Sequence, residues 1–165
     1  MAKSMSGRVH KFGDNINTDL ISPAQYMECS NDVIAAHAMV GADPDFPKKI
    51  KPGDFIVAGK NFGSGSSRET APIALKGIGV SAVIAEFFAR IFYRNCINIG
   101  LSALICKQAS EIDDGDELEV MPQDGIIKNL TQGKEYRCDP LPENIMKIIA
   151  HGGLLEELEH RLKGV

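Results

Sequence analysis

The sequence lacks several features that would assign it to a function class directly. Its 165 residues contain no apolar run that approaches the length of a membrane span, and residues 1–8 lack the apolar stretch of a signal peptide. The formal net charge of -4 argues against nucleic-acid binding, because phosphate contacts require a basic face. We therefore expect a cytoplasmic protein that binds neither membranes nor nucleic acids.

The cysteines show no arrangement that is typical of a metal site. Cys29, Cys96, Cys106 and Cys138 form no Cys-x-x-Cys pair, and no histidine lies at metal-ligand spacing from any of them. We interpret them as free thiols in a reducing compartment. The chain is therefore expected to hold no metal, and any metal chemistry would depend on ligands from another chain.

What the sequence does contain is the composition of one globular domain. Hydrophobic residues make up 44% and charged residues 24%, which is an ordinary mixture. A chain of this length can bury a core without disulfides. Because no repeat, low-complexity segment or linker divides it, we predict a single domain over 1–165.

The middle of the chain alternates apolar segments with amphipathic ones. Strands are predicted at 55–58, 81–85 and 103–106, and helices at 67–76, with Gly77 as C-terminal cap, and at 87–95. This order implies parallel pairing at the centre of the fold. A further strand is predicted at 8–12, where polar and apolar residues alternate.

The remaining segments are predicted to be shorter elements. The alternating segment 117–120 and turns at Asp124-Gly125 and Gln132-Gly133 indicate a small antiparallel excursion. Helices are predicted at 32–40, 142–150 and 154–162, the first capped by Ser30 or Asn31. Residues 17–19 are expected to form a loop, and 41–47 contain too many helix breakers for regular structure.

A loop rich in glycine and serine comes after the predicted strand at 55–58. Gly63 and Gly65 allow positive φ and close approach of a ligand. Ser66, with Glu69 three positions later, fits a capping box, and the free N–H groups of such a helix start favour an anion. Arg68 adds a planar fork suited to a carboxylate or a phosphate.

These residues by themselves leave two interpretations open. The loop could be an ordinary glycine-rich turn with a serine cap, but two serines, an arginine and two glycines at one helix start favour anion binding. It is not a P-loop, because no Gly-Lys-Ser/Thr comes after the glycines. It is also not a convincing dinucleotide fingerprint, because Gly-x-Gly-x-x-Gly is incomplete.

The loop at 62–69, Phe-Gly-Ser-Gly-Ser-Ser-Arg-Glu, resembles the signature of the swivelling domain of the aconitase superfamily. Segments 11–19, 41–46, 85–95 and 152–154 are also similar to stretches of the isopropylmalate isomerase type of small subunit, in the same order. The resemblance covers nearly the whole chain. It implies an α/β fold of the β/β/α swivelling type, with a mixed sheet flanked by helices.

The resemblance also implies an activity and a partner. The activity is that of a hydro-lyase, which reversibly dehydrates a small hydroxy diacid, and the isopropylmalate isomerase type serves leucine biosynthesis. A separate large subunit would carry a [4Fe–4S] cluster on three cysteines and leave one iron open as a Lewis acid. This chain would bind no cofactor itself.

The site residues are implied by the same resemblance. Ser66 would be the catalytic base as an alkoxide, while Asp19, Gly65, Ser67 and Arg68 would bind the substrate. Without the family context, Ser66 would be a helix cap, Asp19 an Asx-turn residue and Arg68 half of a surface ion pair.

The segment at 24–29 would contact the variable group of the substrate. It contains no Arg or Lys, which argues against a third carboxylate, and Tyr26 and Met27 could line an apolar pocket. Glu28 is unusual for such a pocket. The family signature usually continues with histidine, where this sequence has Thr70.

Several alternatives therefore stay open. The chain could be the small subunit of a 2,3-dimethylmalate or methylmalate-type dehydratase, or of a homoaconitase. It could also be a non-catalytic binding module, or a phosphate or nucleotide binder, although no nucleotide-specific residue accompanies the loop.

Overall fold

The computed structural model describes residues 4–66 and 68–163. Within them, a seven-stranded mixed sheet forms the centre of the fold, in the order β4-β3-β2-β1-β5-β6-β7. Its strands are β1 (Met5–Lys11), β2 (Phe55–Ala58), β3 (Ala82–Ala85), β4 (Ser102–Ile105), β5 (Glu117–Met121), β6 (Ile126–Asn129) and β7 (Lys134–Arg137). Strands β1 to β4 pair in parallel, whereas β1, β5, β6 and β7 pair antiparallel. The predicted parallel centre and antiparallel excursion are confirmed.

Helices flank this sheet. They are α1 (Thr18–Ile21), α2 (Asn31–Ala36), α3 (Phe46–Lys49), α4 (Thr70–Ile78), α5 (Arg90–Asn98), α6 (Glu143–Ala150) and α7 (Leu154–Leu162). Short 3-10 turns occur at Ala24–Tyr26 and Ala109–Glu111. None of the helices in the described part of the chain is long and apolar enough to cross a membrane.

The sheet separates two apolar clusters. Phe55 and Val57 of β2 belong to one cluster, and Ile56 and Ala58 belong to the other, as the alternation of side chains along a strand requires. Helices α4 and α5 complete the second cluster, whereas α6 and strands β5 to β7 contribute to the first. Because both faces of β2 are covered, its sequence is continuously apolar.

Two helices begin later than the sequence predicts. Helix α4 begins at Thr70 and ends at Ile78, and its C-terminal cap is Gly79 (φ +109°) rather than Gly77. Helix α5 begins at Arg90, because the preceding residues pair with the loop after β2. The N–H of Phe62 donates to the carbonyl of Phe87 (3.3 Å), and the N–H of Ala89 donates to the carbonyl of Phe62 (2.9 Å).

Three further short segments differ from prediction. Residues 18–21 form helix α1 rather than a loop, because the Asn17 side chain accepts from the N–H of Leu20 (3.0 Å) and caps it. Helix α3 forms in the breaker-rich segment, because Pro47 lies in its first turn, where no N–H is needed. Helix α2 is capped by Ser30 as predicted but ends at Ala36.

Candidate active site

The loop after β1 and the loop after β2 are joined by backbone hydrogen bonds at the same edge of the sheet. The N–H of Gly63 donates to the carbonyl of Ile16 (2.7 Å), and the N–H of Thr18 donates to the carbonyl of Ser64 (2.8 Å). Gly63 has φ +86°, and a Cβ there would overlap the ring of Phe92. Only glycine therefore allows the second loop to pass between the first loop and α5.

Ser66 lies on the exposed side of this junction. Its hydroxyl oxygen is 3.3 Å from the hydroxyl oxygen of Thr18, which is only 3% exposed. Its carbonyl accepts from the N–H of Arg68 (2.9 Å) in a tight turn. Helical geometry starts only at Thr70, with Glu69 at the N-cap position and no side-chain cap. The predicted capping box is wrong, and the Ser66 hydroxyl is not used as a cap.

Arg68 is held by the loop after β1. Its Nη1 donates to the Asp19 carboxylate (2.5 Å) and to the carbonyl of Ser22 (3.2 Å). The Arg68 side chain is 18% exposed, whereas that of Asp19 is 64% exposed. Among the described residues, neither Nε nor Nη2 has a hydrogen-bond partner. One side of the guanidinium is thus anchored, and the other side, Nε and Nη2, can donate two hydrogen bonds to a carboxylate.

The segment at 24–29, which is predicted to contact the variable group of the substrate, follows α1 in the chain. The ring of Tyr26 stacks on the imidazole of His37, with centroids 3.8 Å apart and planes at 16°. Nδ1 of His37 is 2.8 Å from the carbonyl of Val33 in α2, which fixes the orientation of the imidazole. Met27 is 42% exposed and Glu28 is exposed. Tyr26 is therefore held by α2, whereas the next two side chains reach solvent.

Comparison with known proteins agrees with this geometry. Residues 4–109 match the family model described as the aconitase C-terminal domain. The chain belongs to this family. The isopropylmalate/citramalate isomerase small subunit of Methanocaldococcus jannaschii is 55% identical over 98% of each chain. The 3-isopropylmalate dehydratase small subunit of Nautilia profundicola is 54% identical over 96% of each.

Solved structures also resemble this member of the aconitase C-terminal domain family. A 3-isopropylmalate dehydratase from M. jannaschii superposes with a TM-score of 0.93 at 46% identity, covering 98% of this chain and 96% of that one. The family resemblance and the α/β fold with its mixed sheet are thereby confirmed.

The thiols of this family member lie on separate elements. Cys96, Cys106 and Cys138 are buried, and Cys29 is exposed. Burial raises the pKa of Cys96 and Cys106, and burial together with the neighbouring Cys106 raises the pKa of Cys138 to about 12. Over 4–66 and 68–163, no group of three or more His, Cys, Asp or Glu side chains could hold a metal ion.

The predicted site residues are only partly brought together by the fold. Asp19 and Arg68 are in contact, and Ser66 lies in the turn beside Arg68. Gly65 has φ +101° and lies against Thr18, where an added Cβ would be 3.3 Å from the Thr18 hydroxyl oxygen. Ser67 falls outside the described residues.

Three contacts of the site were missed by reasoning from the sequence. They involve the Thr18 hydroxyl, the Ser22 carbonyl and the His37 ring. Thr18 lies in the segment 11–19 that resembles the family's first substrate loop, so it could have been found. Nothing in the sequence signals the other two, because both depend on where the chain folds back.

Proposed function

We propose that this chain is the small subunit of a heteromeric hydro-lyase that dehydrates and rehydrates a hydroxy diacid, with isopropylmalate in leucine biosynthesis as its substrate. The observation that carries the proposal is the near-complete alignment with relatives named 3-isopropylmalate dehydratase small subunit. The geometry supports it, because residues 66 and 68 of one loop carry an exposed serine and an arginine whose guanidinium is anchored on Asp19. A hydro-lyase needs such a pair, as base and as carboxylate binder.

In the proposed reaction, Ser66 accepts a proton from the carbon next to a substrate carboxylate. Ser66 is exposed, so its hydroxyl first releases its own proton to solvent, and the positive charge of Arg68 in the same loop makes the alkoxide less unfavourable. Arg68, Ser67 and the backbone at Gly65 bind the carboxylate, with Nε and Nη2 of Arg68 available for two contacts. Asp19 acts on substrate binding by holding Nη1 of Arg68.

The partner in this proposal is a large catalytic subunit that carries a [4Fe–4S] cluster. Such clusters are held by several cysteine thiolates at one place, whereas Cys96 lies in the apolar cluster on the opposite face of the sheet from Cys106 and Cys138, and Cys29 is exposed. When bound, the cluster supplies a Lewis acid for the substrate hydroxyl. We propose one swivelling domain over 1–165, working in the cytoplasm without a membrane or nucleic-acid partner.

The proposed substrate carries an apolar group in place of a third carboxylate. A third carboxylate buried in the site would need a cationic partner. Without one, its desolvation would cost on the order of several kcal/mol. The segment 24–29 offers no cation. An apolar substituent placed against Tyr26 and Met27 would gain about 0.8 kcal/mol per buried CH₂. Homoaconitase activity is therefore disfavoured.

A methyl-substituted diacid is the second candidate substrate. The M. jannaschii relative is named for citramalate, a methylmalate, as well as isopropylmalate, which keeps a methylmalate-type or dimethylmalate-type activity in competition. A smaller group fills less of the same apolar contact, so we expect it to be used less efficiently.

The experiment is a substrate panel on the two-subunit enzyme, reconstituted anaerobically with the large subunit from the same genome. We expect kcat/KM to fall in the order isopropylmalate, citramalate or dimethylmalate, homocitrate. No turnover of any hydroxy diacid by an assembled complex would refute the hydro-lyase and favour a binding module. Homocitrate as best substrate would overturn the apolar contact.

Two controls accompany the panel. The chain alone should be colourless and inactive under the same reconstitution, and a stoichiometric brown cluster on it would contradict the proposed division of labour. Glu28→Arg tests the segment directly. A gain of triacid turnover would show that position 28 meets the variable group of the substrate.

A further inference from the structure

We propose that Thr18 is a positioning residue for Ser66, which holds the Ser66 hydroxyl in the neutral enzyme and donates a hydrogen bond to its oxygen once that oxygen is negatively charged. The inference rests on the proposed role of Ser66 as the base. Thr18 belongs to the loop after β1, and the proposed function assigns it no contact with the substrate.

Thr18 is fixed at every polar atom. Its N–H donates to the carbonyl of Ser64 (2.8 Å), and its carbonyl accepts from the N–H of Ser22 (2.8 Å). The whole residue is 3% exposed. Only rotation of the hydroxyl proton remains free, so its oxygen is a rigid reference point for the exposed Ser66 side chain.

The two hydroxyl oxygens are 3.3 Å apart, and either can donate while both are neutral. Within the described residues, this is the one hydrogen bond of the Thr18 hydroxyl. Once Ser66 loses its proton, only Thr18 can donate. A hydrogen bond to the charged form alone is stronger than one between neutral groups, so it lowers the pKa of the group that becomes charged.

The fold supports this role through Gly65. The chain turns at Gly65 with φ +101°, and a Cβ there would lie 3.3 Å from the Thr18 hydroxyl oxygen. The absence of a side chain at position 65 therefore keeps the approach between Thr18 and Ser66 open. Arg68, which is anchored on Asp19 in the same helix α1 as Thr18, fixes the other end of the turn.

A purely structural role for Thr18 predicts a different outcome, and two substitutions separate them. Thr18→Val keeps the shape and both backbone hydrogen bonds but removes the hydroxyl. Thr18→Ser keeps the hydroxyl and removes the methyl group. If Thr18 has only a structural role, both substitutions should reduce stability. If it has the proposed role, only Thr18→Val should reduce activity, because only this substitution removes the hydroxyl.

The first test measures the acidity of position 66 without catalysis. In the whole chain with Ser66→Cys and Cys29→Ser, the rate of alkylation by iodoacetamide against pH reports the pKa of the new thiol. Thr18→Val should raise that pKa by about half a unit or more, and Thr18→Ser should leave it unchanged. Equal pKa values with threonine and valine, in variants whose circular dichroism shows an intact fold, would overturn the proposal.

The second test uses the two-subunit enzyme with Ser66 intact. Thr18→Val should lower kcat roughly 10- to 100-fold, as expected for a lost hydrogen bond to a charged group, with KM within about twofold. Thr18→Ser keeps the hydroxyl, so its kcat should be close to that of the enzyme with threonine. An unchanged kcat, or equal losses in both variants, would overturn the proposal. An inactive wild-type complex would instead refute the proposed function. The thiol titration does not depend on activity, so it tests the hydrogen bond between Thr18 and position 66 separately.

Discussion

The two halves of the sheet differ in how their strands are connected. In the parallel half, β1 and β2 end at one edge, and the loops after them carry Asp19, Ser66 and Arg68. In the antiparallel half, β5, β6 and β7 are joined by tight turns that contain Gly125 and Gly133. Parallel strands need crossover connections, which bring several loops to the same edge of the sheet. Antiparallel strands are joined by short turns, so successive connections lie at opposite edges.

The two halves nevertheless share one core. Leu118 and Ile127 of the antiparallel half lie in the same buried cluster as Phe55 and Ile84 of the parallel half. The difference teaches that stability is distributed over the whole sheet, while the chemistry is concentrated at the edge where the parallel strands end. Substitutions in the two halves should therefore affect different measurements.

The largest expected effect is that of Ser66→Ala in the parallel half. Turnover by the assembled complex should fall by about 100-fold or more, because a general base is lost. The melting temperature should stay close to wild type, because Ser66 caps no helix. The matched control is Ser64→Ala in the same loop, because the contact of Ser64 with Thr18 is made by its backbone carbonyl. Turnover near wild type in the Ser66 variant would remove this residue from the mechanism.

Leu118→Ala should produce the opposite pattern. Leu118 is fully buried in β5, so the free energy of unfolding should fall by about 2–5 kcal/mol, measured by urea denaturation. The kcat of the enzyme that remains folded should not change. Leu130→Ala, at a position that is 59% exposed, is the control and should cost little. Loss of kcat in a well-folded Leu118 variant would break the separation between the two halves.

Arg68→Lys should lower kcat/KM by roughly 10- to 100-fold although the charge is kept, the loss expected for a hydrogen bond to a charged group. An ammonium cannot contact Asp19 and a substrate carboxylate with the geometry of a guanidinium. Arg161→Lys provides the comparison, because Arg161 forms an ion pair with Glu157 in α7 (2.7 Å). If steady-state kinetics of the two variants are alike, Arg68 has only a structural role.

A smaller effect is expected on specificity from His37→Ala. Loss of the stack with Tyr26 should change the ratio of kcat/KM for isopropylmalate and citramalate by about 2- to 10-fold, since an aromatic pair contributes about 0.5–1.5 kcal/mol. His160→Ala removes a comparable stack with His151 and should leave the ratio unchanged. Equal ratios in all three enzymes would separate Tyr26 from substrate discrimination.

The smallest expected effect is on stability at acid pH, and it involves one buried carboxylate from each half of the sheet. Burial raises the pKa of Asp54 and of Asp116, but hydrogen bonds from His10 and from Asn129, respectively, and from backbone N–H groups outweigh it, so both pKa values lie below 3.8. Their stabilisation is present above pH 3.8 and is lost as pH falls through the lowered values. When the free energy of unfolding is measured against pH, it should fall less in acid for Asp54→Asn and for Asp116→Asn than for the wild type. An acid transition identical to that of the wild type would contradict this.

Local sequence patterns were sufficient for most of the elements. The continuous apolar run at 55–58 and the helical period at 154–162 correspond to β2 and α7 with the predicted bounds. Both signals are local, since a strand that is covered on both faces is apolar throughout, and an amphipathic helix repeats every three to four residues. The resemblance at 62–69 identified the loop that carries Ser66 and Arg68 for the same reason.

Only the tertiary structure decided what those residues contact. The sequence determined a Gly-Ser-Arg loop between a strand and a helix, but Arg68 is anchored by Asp19 and by the Ser22 carbonyl, which are 49 and 46 positions away. The hydroxyls of Thr18 and Ser66 are separated by 48 positions and meet because β1 and β2 are parallel neighbours. Local preferences act over a few residues, whereas such a contact exists only after the sheet has formed and brought the strand ends to one edge.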